Sequence, residues 1–517
     1  MKLKKQGHSF FMNTLAQTGG YFLYLLTRVG LPPLILHFVS LEEYGLWSTC
    51  FLIIGYISMG TFGISNVYVR YIAEYNAKNE HDAISGVISS GLVLTLSFGL
   101  LAFMGTWLAM PWIVIAFNIA APLQETARLL ILGTVAAMLV DMSLGAFAYV
   151  LHGLQKIVQQ TIVWIISFIL ESALIVGLLL LHYGVMALLW AFLARYVFST
   201  LVYIILCYRA LPNLQIRWRL VSKQYFKLFL NYGGILQLTG LLTIFMYSIE
   251  RLLAGYFSGL AAVATLDLGQ KFPMMAAQMF SSMNANFLPA LTHAHKLGQH
   301  EEIANLYKKG LRYLNLLNGL AMGFLAPFAT WLLLAWLGDN DKLSWHNAIM
   351  VLIFACFGYQ SHFLTGPLSA YYQALNRPAM AFDYLGRQAV FIMLSLLAIW
   401  YWTGFDVIII ASSVMLARII SALMYLVRGN KKLGLANKQF IRSVLLPGIV
   451  PYLWGYGILC AIEPWLVLYA PYFNRWQLIA VLAILGMIYV VLTMAFFYAF
   501  LCDTNEQADI KKKLKLA

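Results

Sequence analysis

Residues 84–107 read ISGVISSGLVLTLSFGLLAFMGTW, an unbroken run without one charged side chain. About 20 apolar residues in a helix span the hydrocarbon core of a bilayer. Backbone groups at that depth find partners only inside a helix or a closed barrel. The run is continuously apolar and does not alternate, so it reads as a helix and not as a barrel strand. Similar stretches lie at 11–38, 45–69, 127–152, 159–181, 184–208, 229–256, 260–292, 312–336, 347–374, 380–402, 407–428, 444–464 and 476–501. The composition agrees: 62% of residues are hydrophobic, 10% are charged and the mean hydropathy is +0.77. A soluble globule of 517 residues is excluded. The fold expected is an all-α polytopic membrane protein of about fourteen transmembrane helices.

The positive charges fall in every second gap. Of the 34 lysines and arginines, 25 lie in one set of ends and loops, from Lys2, Lys4 and Lys5 to the tail beginning at Lys511. Arg128, Lys342 and Arg475 lie in the other set, and Arg28, Arg195, Arg251, Lys271, Arg387 and Arg418 lie within the apolar stretches. The positive-inside rule then puts both termini in the cytoplasm. A basic cytoplasmic face accounts for the net charge of +14, and no nucleic-acid partner is expected. The first apolar run is too long for a signal peptide and lacks a small-residue cleavage site, so it is expected to stay. The five cysteines are scattered without paired spacing and point to neither a disulfide framework nor a metal site. The longest gaps, 209–228 and 293–311, read as amphipathic interfacial connectors, with Trp218 and Tyr225 among basic residues.

A displacement of 219 residues sets the chain against itself. Phe38 and Leu41 meet Phe257 and Leu260, His81-Asp82 meets His300-Glu301, and Gly91-Leu92 meets Gly310-Leu311. With a slight drift, Gly145 meets Gly366, Gly153-Leu154-Gln155-Lys156 meets Ala374-Leu375-Asn376-Arg377, and Leu193-Ala194-Arg195 meets Leu416-Ala417-Arg418. Each match falls at the same point of a six-helix set. Six is even, so both sets start from the same side and the repeat is parallel. The expected domains are an N-lobe at 1–222, a C-lobe at 223–430, and two added helices with a basic tail at 431–517. Two similar lobes that rock to expose a cleft to one side at a time are the architecture of a transporter.

An ionisable residue inside a membrane helix is costly and is a functional candidate by default. Asp267 and Lys271, like Asp383 and Arg387, are spaced i,i+4 with the acid first and are expected to pair. Glu171 and Arg195 lie at similar distances either side of a turn near 183, so they are expected at one depth on neighbouring antiparallel helices. Glu250 and Arg251 sit near a helix end, where they would reach water. Arg28, Arg418, Asp141 and His362 have no opposite charge at helical spacing. Arg28 precedes Gly30-Leu31-Pro32-Pro33, where two prolines predict a break or kink in the first helix. Asp141 and His362 occupy equivalent places in the two repeats. Pro273 and Gly366-Pro367 are further kink candidates. The candidate substrate-binding residues are therefore Arg28, Arg418, Lys271, Arg195 and Arg251. The candidate ion-coupling residues are Asp141, Glu171, Glu250 and His362.

Three stretches carry a family resemblance. Leu41-Glu42-Glu43-Tyr44-Gly45-Leu46-Trp47, residues 62–74 (FGISNVYVRYIAE) and Tyr372-Gln373-Ala374-Leu375-Asn376-Arg377-Pro378 resemble the polysaccharide transporter branch of the multidrug/oligosaccharidyl-lipid/polysaccharide exporter superfamily. The resemblance implies two lobes in a V around a cationic cavity. Arg28 and Lys271 stand in the helices whose basic residues face that cavity in relatives. It further implies a flippase that carries a polyprenyl-pyrophosphate-linked oligosaccharide, as in O-antigen, capsule or exopolysaccharide assembly, across the bacterial inner membrane. The partners implied are the lipid-linked oligosaccharide, H+ or Na+, membrane lipid, a polysaccharide polymerase and other assembly proteins. No cofactor or metal is expected. No phosphate loop G-x-x-x-x-G-K-[ST] is present, so the drive expected is an ion gradient and not ATP. The alternatives are a cation-coupled multidrug exporter of the same superfamily, a membrane-embedded polymerase or ligase, and a scaffold component. A cation-coupled exporter of amphiphilic drugs calls for an acid-lined aromatic cavity, whereas the intramembrane balance here is slightly cationic. No H-E-x-x-H, no G-x-S-x-G and no acid pair at a catalytic spacing occurs, so enzymatic activity is not expected.

Overall fold

The structure is a computed structural model that describes residues 19–20, 23–58, 64–284, 287–339, 341–375, 377–402, 405–502 and 506–507. Lys2, Lys4, Lys5, the tail from Lys511, Phe62-Gly63 and the start of the first apolar stretch lie outside these residues. The regular elements described are all helices. The chain divides into two compact units at residues 264 and 265.

The first unit holds α1 (Leu23–Phe38), α2 (Leu41–Ser58), α3 (Ile64–Ala77), α4 (His81–Ala116), α5 (Gln124–Leu144), α6 (Ala146–Gly153), α7 (Ile157–Leu180), α8 (Met186–Ala210) and α9 (Lys223–Ser258). α10 (Leu260–Asn284) begins at its end. The second unit continues with α11 (Phe287–Lys296), α12 (His300–Leu325), α13 (Ala329–Leu337), α14 (Trp345–Phe363), α15 (Thr365–Ala374), α16 (Phe382–Trp402), α17 (Val407–Lys432), α18 (Asn437–Phe440), α19 (Leu446–Tyr469) and α20 (Arg475–Phe496). Among the described residues, eight spans are long and apolar enough to cross a membrane. α12 and α13, bent by 68° at Ala326-Pro327-Phe328, make a ninth if counted as one span. Pro327 cannot donate to the helix ladder and restrains Ala326, which places the bend. The other predicted segments are helical too, as α1, α2, α9, α10 and α16.

The two units are packed by one scheme. α3 lies on α6, α4 on α5, and α8 against both α5 and α7; likewise α11 lies on α15, α12 on α14, and α17 against both α14 and α16. α9 returns to pack on α4 as α19 packs on α12. The cores correspond residue by residue: Ile88, Phe147, Leu151 and Tyr203 are buried in the first, and Tyr307, Leu368, Tyr372 and Tyr425, displaced by 219 to 222 residues, in the second. Close helix approach in membranes rests on small residues, because apolar side chains gain little over lipid. Gly91 lies under the Tyr68 ring so closely that a Cβ there would collide with it; Gly310 lies under the Phe287 ring in the same way. These four positions are related by the 219-residue displacement. Both turns into α4 and α12 also use a left-handed residue, Asn79 (φ 58°) and Gly298 (φ 69°). Both units interrupt the fourth span of the six-helix set at matched places: at Gly145 between α5 and α6, and at Leu364 between α14 and α15.

Of the break or kink expected in the first helix, the break is absent: α1 runs through Gly30-Leu31-Pro32-Pro33 from Leu23 to Phe38. Without water to satisfy an opened backbone, the remaining ladder holds the helix together past two prolines. The 293–311 connector is helical: the end of α11, a short turn and the start of α12. The 209–228 connector does lie along a helix: the backbone N–H groups of Gln215, Arg217 and Ser222 donate to Ser85, Ser89 and Ser90 on α4. Trp218 in its single 3-10 turn is 78% exposed, as suits an interfacial anchor.

Candidate functional site

In the first unit, α1, α2, α7 and α8 bring aromatic rings around two guanidinium groups. Helical spacing puts Tyr24 and Arg28 on one face of α1, and Trp164, Phe168 and Glu171 on one face of α7. The Arg28 Cζ lies 5.0 Å from the Tyr24 ring centre, 5.6 Å from Phe51 and 5.7 Å from Phe168. The Arg195 Cζ lies 4.4 Å from Phe168, 5.2 Å from Phe192 and 4.2 Å from Tyr196. Phe168 therefore contacts both cations. Such contacts are worth about 0.5–2 kcal/mol each, more where water is excluded. Tyr24, Trp164 and Phe168 pack edge-on or tilted, as do Trp47, Phe51 and Phe192, so the rings are held in place by one another.

The two cations differ in compensation. Arg195 Nη1 donates to Glu171 Oε2 at 2.9 Å, with both side chains almost fully enclosed. This is the pairing predicted from the turn near 183. Asp141, on α5, interacts electrostatically with Arg195 as well. Among the described residues no carboxylate pairs with Arg28, and its buried Nε has no hydrogen-bond acceptor. A buried donor without an acceptor is costly, so this group is either an expense of the fold or a group that receives its acceptor from a ligand.

The corresponding place in the second unit is built otherwise. Arg418 is 1% exposed. Its Cζ lies 5.1 Å from the Tyr359 ring centre and its Nη1 is 3.5 Å from Met415 Sδ. His362 interacts electrostatically with it and shares a hydrogen bond of 2.8 Å between Nδ1 and Tyr384 Oη, linking α14 to α16. Next to this centre runs an uncharged network. Gln360 Nε2 donates to Asn315 Oδ1 at 2.8 Å and to the Gly448 carbonyl at 3.1 Å, and Tyr452 Oη donates to Gln360 Oε1 at 2.6 Å.

The other candidates have contacts of their own. Lys271 Nζ donates to Asp267 Oδ2 at 2.6 Å along α10, as the i,i+4 spacing predicts. Asp383 accepts from Arg387 at 2.9 Å and from Arg428 at 3.2 Å; the second partner was not foreseen. Glu250 does not reach water: it is 0% exposed, and Arg251 beside it is half-buried. α9 continues two turns beyond them to Ser258, with Gly255 packed on Phe117 and Ser248 bonded to Tyr56, which encloses this stretch. The sequence reading also missed an ion pair between Arg312 and Glu506 at 3.1 Å. Arg312 donates to the Leu501 carbonyl too, and Tyr313 Oη to Glu506 Oε1 at 3.0 Å. The only sequence signal for it is a group of acids, Asp503, Glu506 and Asp509, ahead of the lysines of the tail.

Three likenesses bear on this arrangement. The structure of the lipid II flippase MurJ in an inward closed conformation superposes with a TM-score of 0.68 at 14% identity, over 94% of this chain and 99% of that one. A multidrug resistance MATE family transporter of the MOP superfamily, in its inward-facing conformation, gives 0.64 at 15% identity, over 80% of this chain and 94% of that one. Both identities are low, so these two establish the fold. The membrane protein EpsK of Bacillus subtilis (strain 168) is 23% identical over 359 residues, 68% of each chain. Residues 7–295, more than half of the chain, match the family model described as polysaccharide biosynthesis protein, and the chain belongs to that family.

Proposed function

We propose that the protein is a flippase that moves a polyprenyl-pyrophosphate-linked oligosaccharide from the cytoplasmic to the periplasmic leaflet of a bacterial inner membrane, by alternating access of its two lobes. The observation that carries this reading is Arg28. A pyrophosphate cannot enter hydrocarbon unless its charge is compensated and its oxygens are bonded. Arg28 is a half-buried cation without a carboxylate among the described residues. Stacking on Tyr24, Phe51 and Phe168 consumes none of its N–H groups, so the planar fork remains open to phosphate oxygens. Arg195 keeps its own partner, Glu171, and shares the Phe168 ring with Arg28.

The polyprenyl chain stays in lipid. An apolar groove of about 750 Å³ between α10, α12 and α20, walled by Phe272, Met275, Phe324 and Met487, suits such a chain. Asp141 is the proposed coupling acid, because it senses Arg195 without being the carboxylate bonded to it. Moving one charge across 100 mV supplies about 2.3 kcal/mol, and either H+ or Na+ fits this role. Lys271 and Arg418 are secondary candidates, since the first is bonded to Asp267 and the second is enclosed. The test is deletion of the protein followed by analysis of the lipid-linked sugars that accumulate. Accumulation in the cytoplasmic leaflet supports flipping; accumulation in the periplasmic leaflet points to a polymerase or ligase and overturns the reading.

A further inference from the structure

The apolar span α17 ends in Arg428-Gly429-Asn430-Lys431-Lys432, and here the second unit forms a concave cup of about 790 Å³. Its wall is made by Tyr372 from α15, Met380 from the following 3-10 turn, Asp383 from α16, and Arg428, Lys431 and Lys432 from α17. The single acid is already committed, between Arg387 and Arg428. Lys432 Nζ rests 5.1 Å from the Tyr372 ring centre and 3.4 Å from Met380 Sδ. A π face and a thioether hold that ammonium without cancelling its charge. Among the described residues, neither Lys431 nor Lys432 is paired with a carboxylate.

Basic residues in a last helical turn complement the helix dipole wherever they occur, and that alone would need no cup. Two further features go beyond it. The three cations of this helix end line a hollow closed by α15, the following 3-10 turn and α16, and the hollow has an aromatic and thioether wall. It also lies where an apolar span gives way to a basic end, at headgroup depth, on the side that the charge pattern assigns to the cytoplasm. Basic pockets between helices at that level recognise anionic lipid headgroups. We propose that this cup binds the phosphate of an anionic glycerophospholipid headgroup. The phosphate sits among Arg428, Lys431 and Lys432, and the glycerol and first acyl carbons lie along Tyr372 and Met380. The site does not depend on what the protein transports.

The experiment measures the thermal unfolding midpoint of the full-length protein in neutral detergent, titrated with phosphatidylglycerol, phosphatidylcholine or sodium phosphate. Phosphatidylglycerol is expected to raise the midpoint saturably, and phosphatidylcholine and sodium phosphate are not. The pair Lys431→Gln with Lys432→Gln should shift the phosphatidylglycerol response to roughly thirtyfold higher lipid, the loss expected for two cations at a charged interface. The pair Lys438→Gln with Arg442→Gln removes the same charge from neighbouring surface and should leave the response unchanged. Lys432→Arg should keep it. Equal loss in both double variants would reduce the effect to general surface charge and overturn the proposal. An equal rise with sodium phosphate alone would reassign the cup to a soluble anion, and no rise with phosphatidylglycerol would remove the site.

Discussion

The arginine of α8 and the arginine of α17 occupy the same place in two copies of one fold, yet their surroundings differ. Arg195 is bonded to Glu171 and lies near Asp141. Arg418 faces Tyr359, Met415 and His362. The packing around them has been kept: the same helix pairs, the same ring-over-glycine contacts and the same interruption of the fourth span. Packing is constrained at every position by its neighbours, whereas a charge is constrained only by its local partners. The duplication therefore preserved the scaffold while the electrostatics diverged. In the first unit a second cation, Arg28, lies beside Arg195 through a shared aromatic ring, Phe168.

The contrast can be broken most severely at Glu171. Glu171→Ala leaves Arg195 enclosed without its carboxylate, and losing one partner of a buried pair costs about 3–5 kcal/mol. The unfolding midpoint and the membrane level of the variant should fall sharply, and Arg195→Met in the same chain should restore much of both. A Glu171→Ala chain as stable as the parent would mean that the pair contributes nothing.

At Arg28 the expected effect is on transport and not on folding. Arg28→Ala should lower surface glycan delivery by about tenfold to a hundredfold, since a charged hydrogen bond is worth about 1.5–3 kcal/mol. Arg28→Lys should retain part of it. Protein level, followed by immunoblot, should hold in both.

The likeness itself is tested at Gly91 and Gly310. Overpacking costs about 1–3 kcal/mol, so Gly91→Ala and Gly310→Ala should destabilise the protein by similar amounts. A tolerated substitution in one unit alone would show that the two packings are not equivalent. The smallest change is expected from Asp141→Asn. Transport should persist, but its dependence on membrane potential or pH should change; unchanged dependence would assign Asp141 to structure.

Much of this was legible in the chain before any coordinates. The spans follow from apolar length, and the repeat follows from matched letters at matched places. Glu171–Arg195 and Asp267–Lys271 follow from geometry local to one hairpin and one helix. The rings around Arg28 could not be read, because Phe51 and Phe168 come from α2 and α7 and meet only through tertiary packing. Arg312–Glu506 was hidden for the same reason, across 194 residues. The two local predictions that did not hold, the break at Pro32-Pro33 and the solvent exposure of Glu250, share a cause. Each applied an isolated-helix rule where neighbouring helices and the absence of water decide the outcome.

The central claim is that Arg28 offers its guanidinium to a pyrophosphate as the headgroup changes leaflets. The most direct measurement reconstitutes the protein in liposomes with a polyprenyl-pyrophosphate oligosaccharide and follows its transfer between leaflets, for the parent chain and for Arg28→Ala. Transfer by the parent chain and its near-complete loss in the variant are expected. Equal transfer by both, or none by the parent under an imposed ion gradient, would contradict the claim.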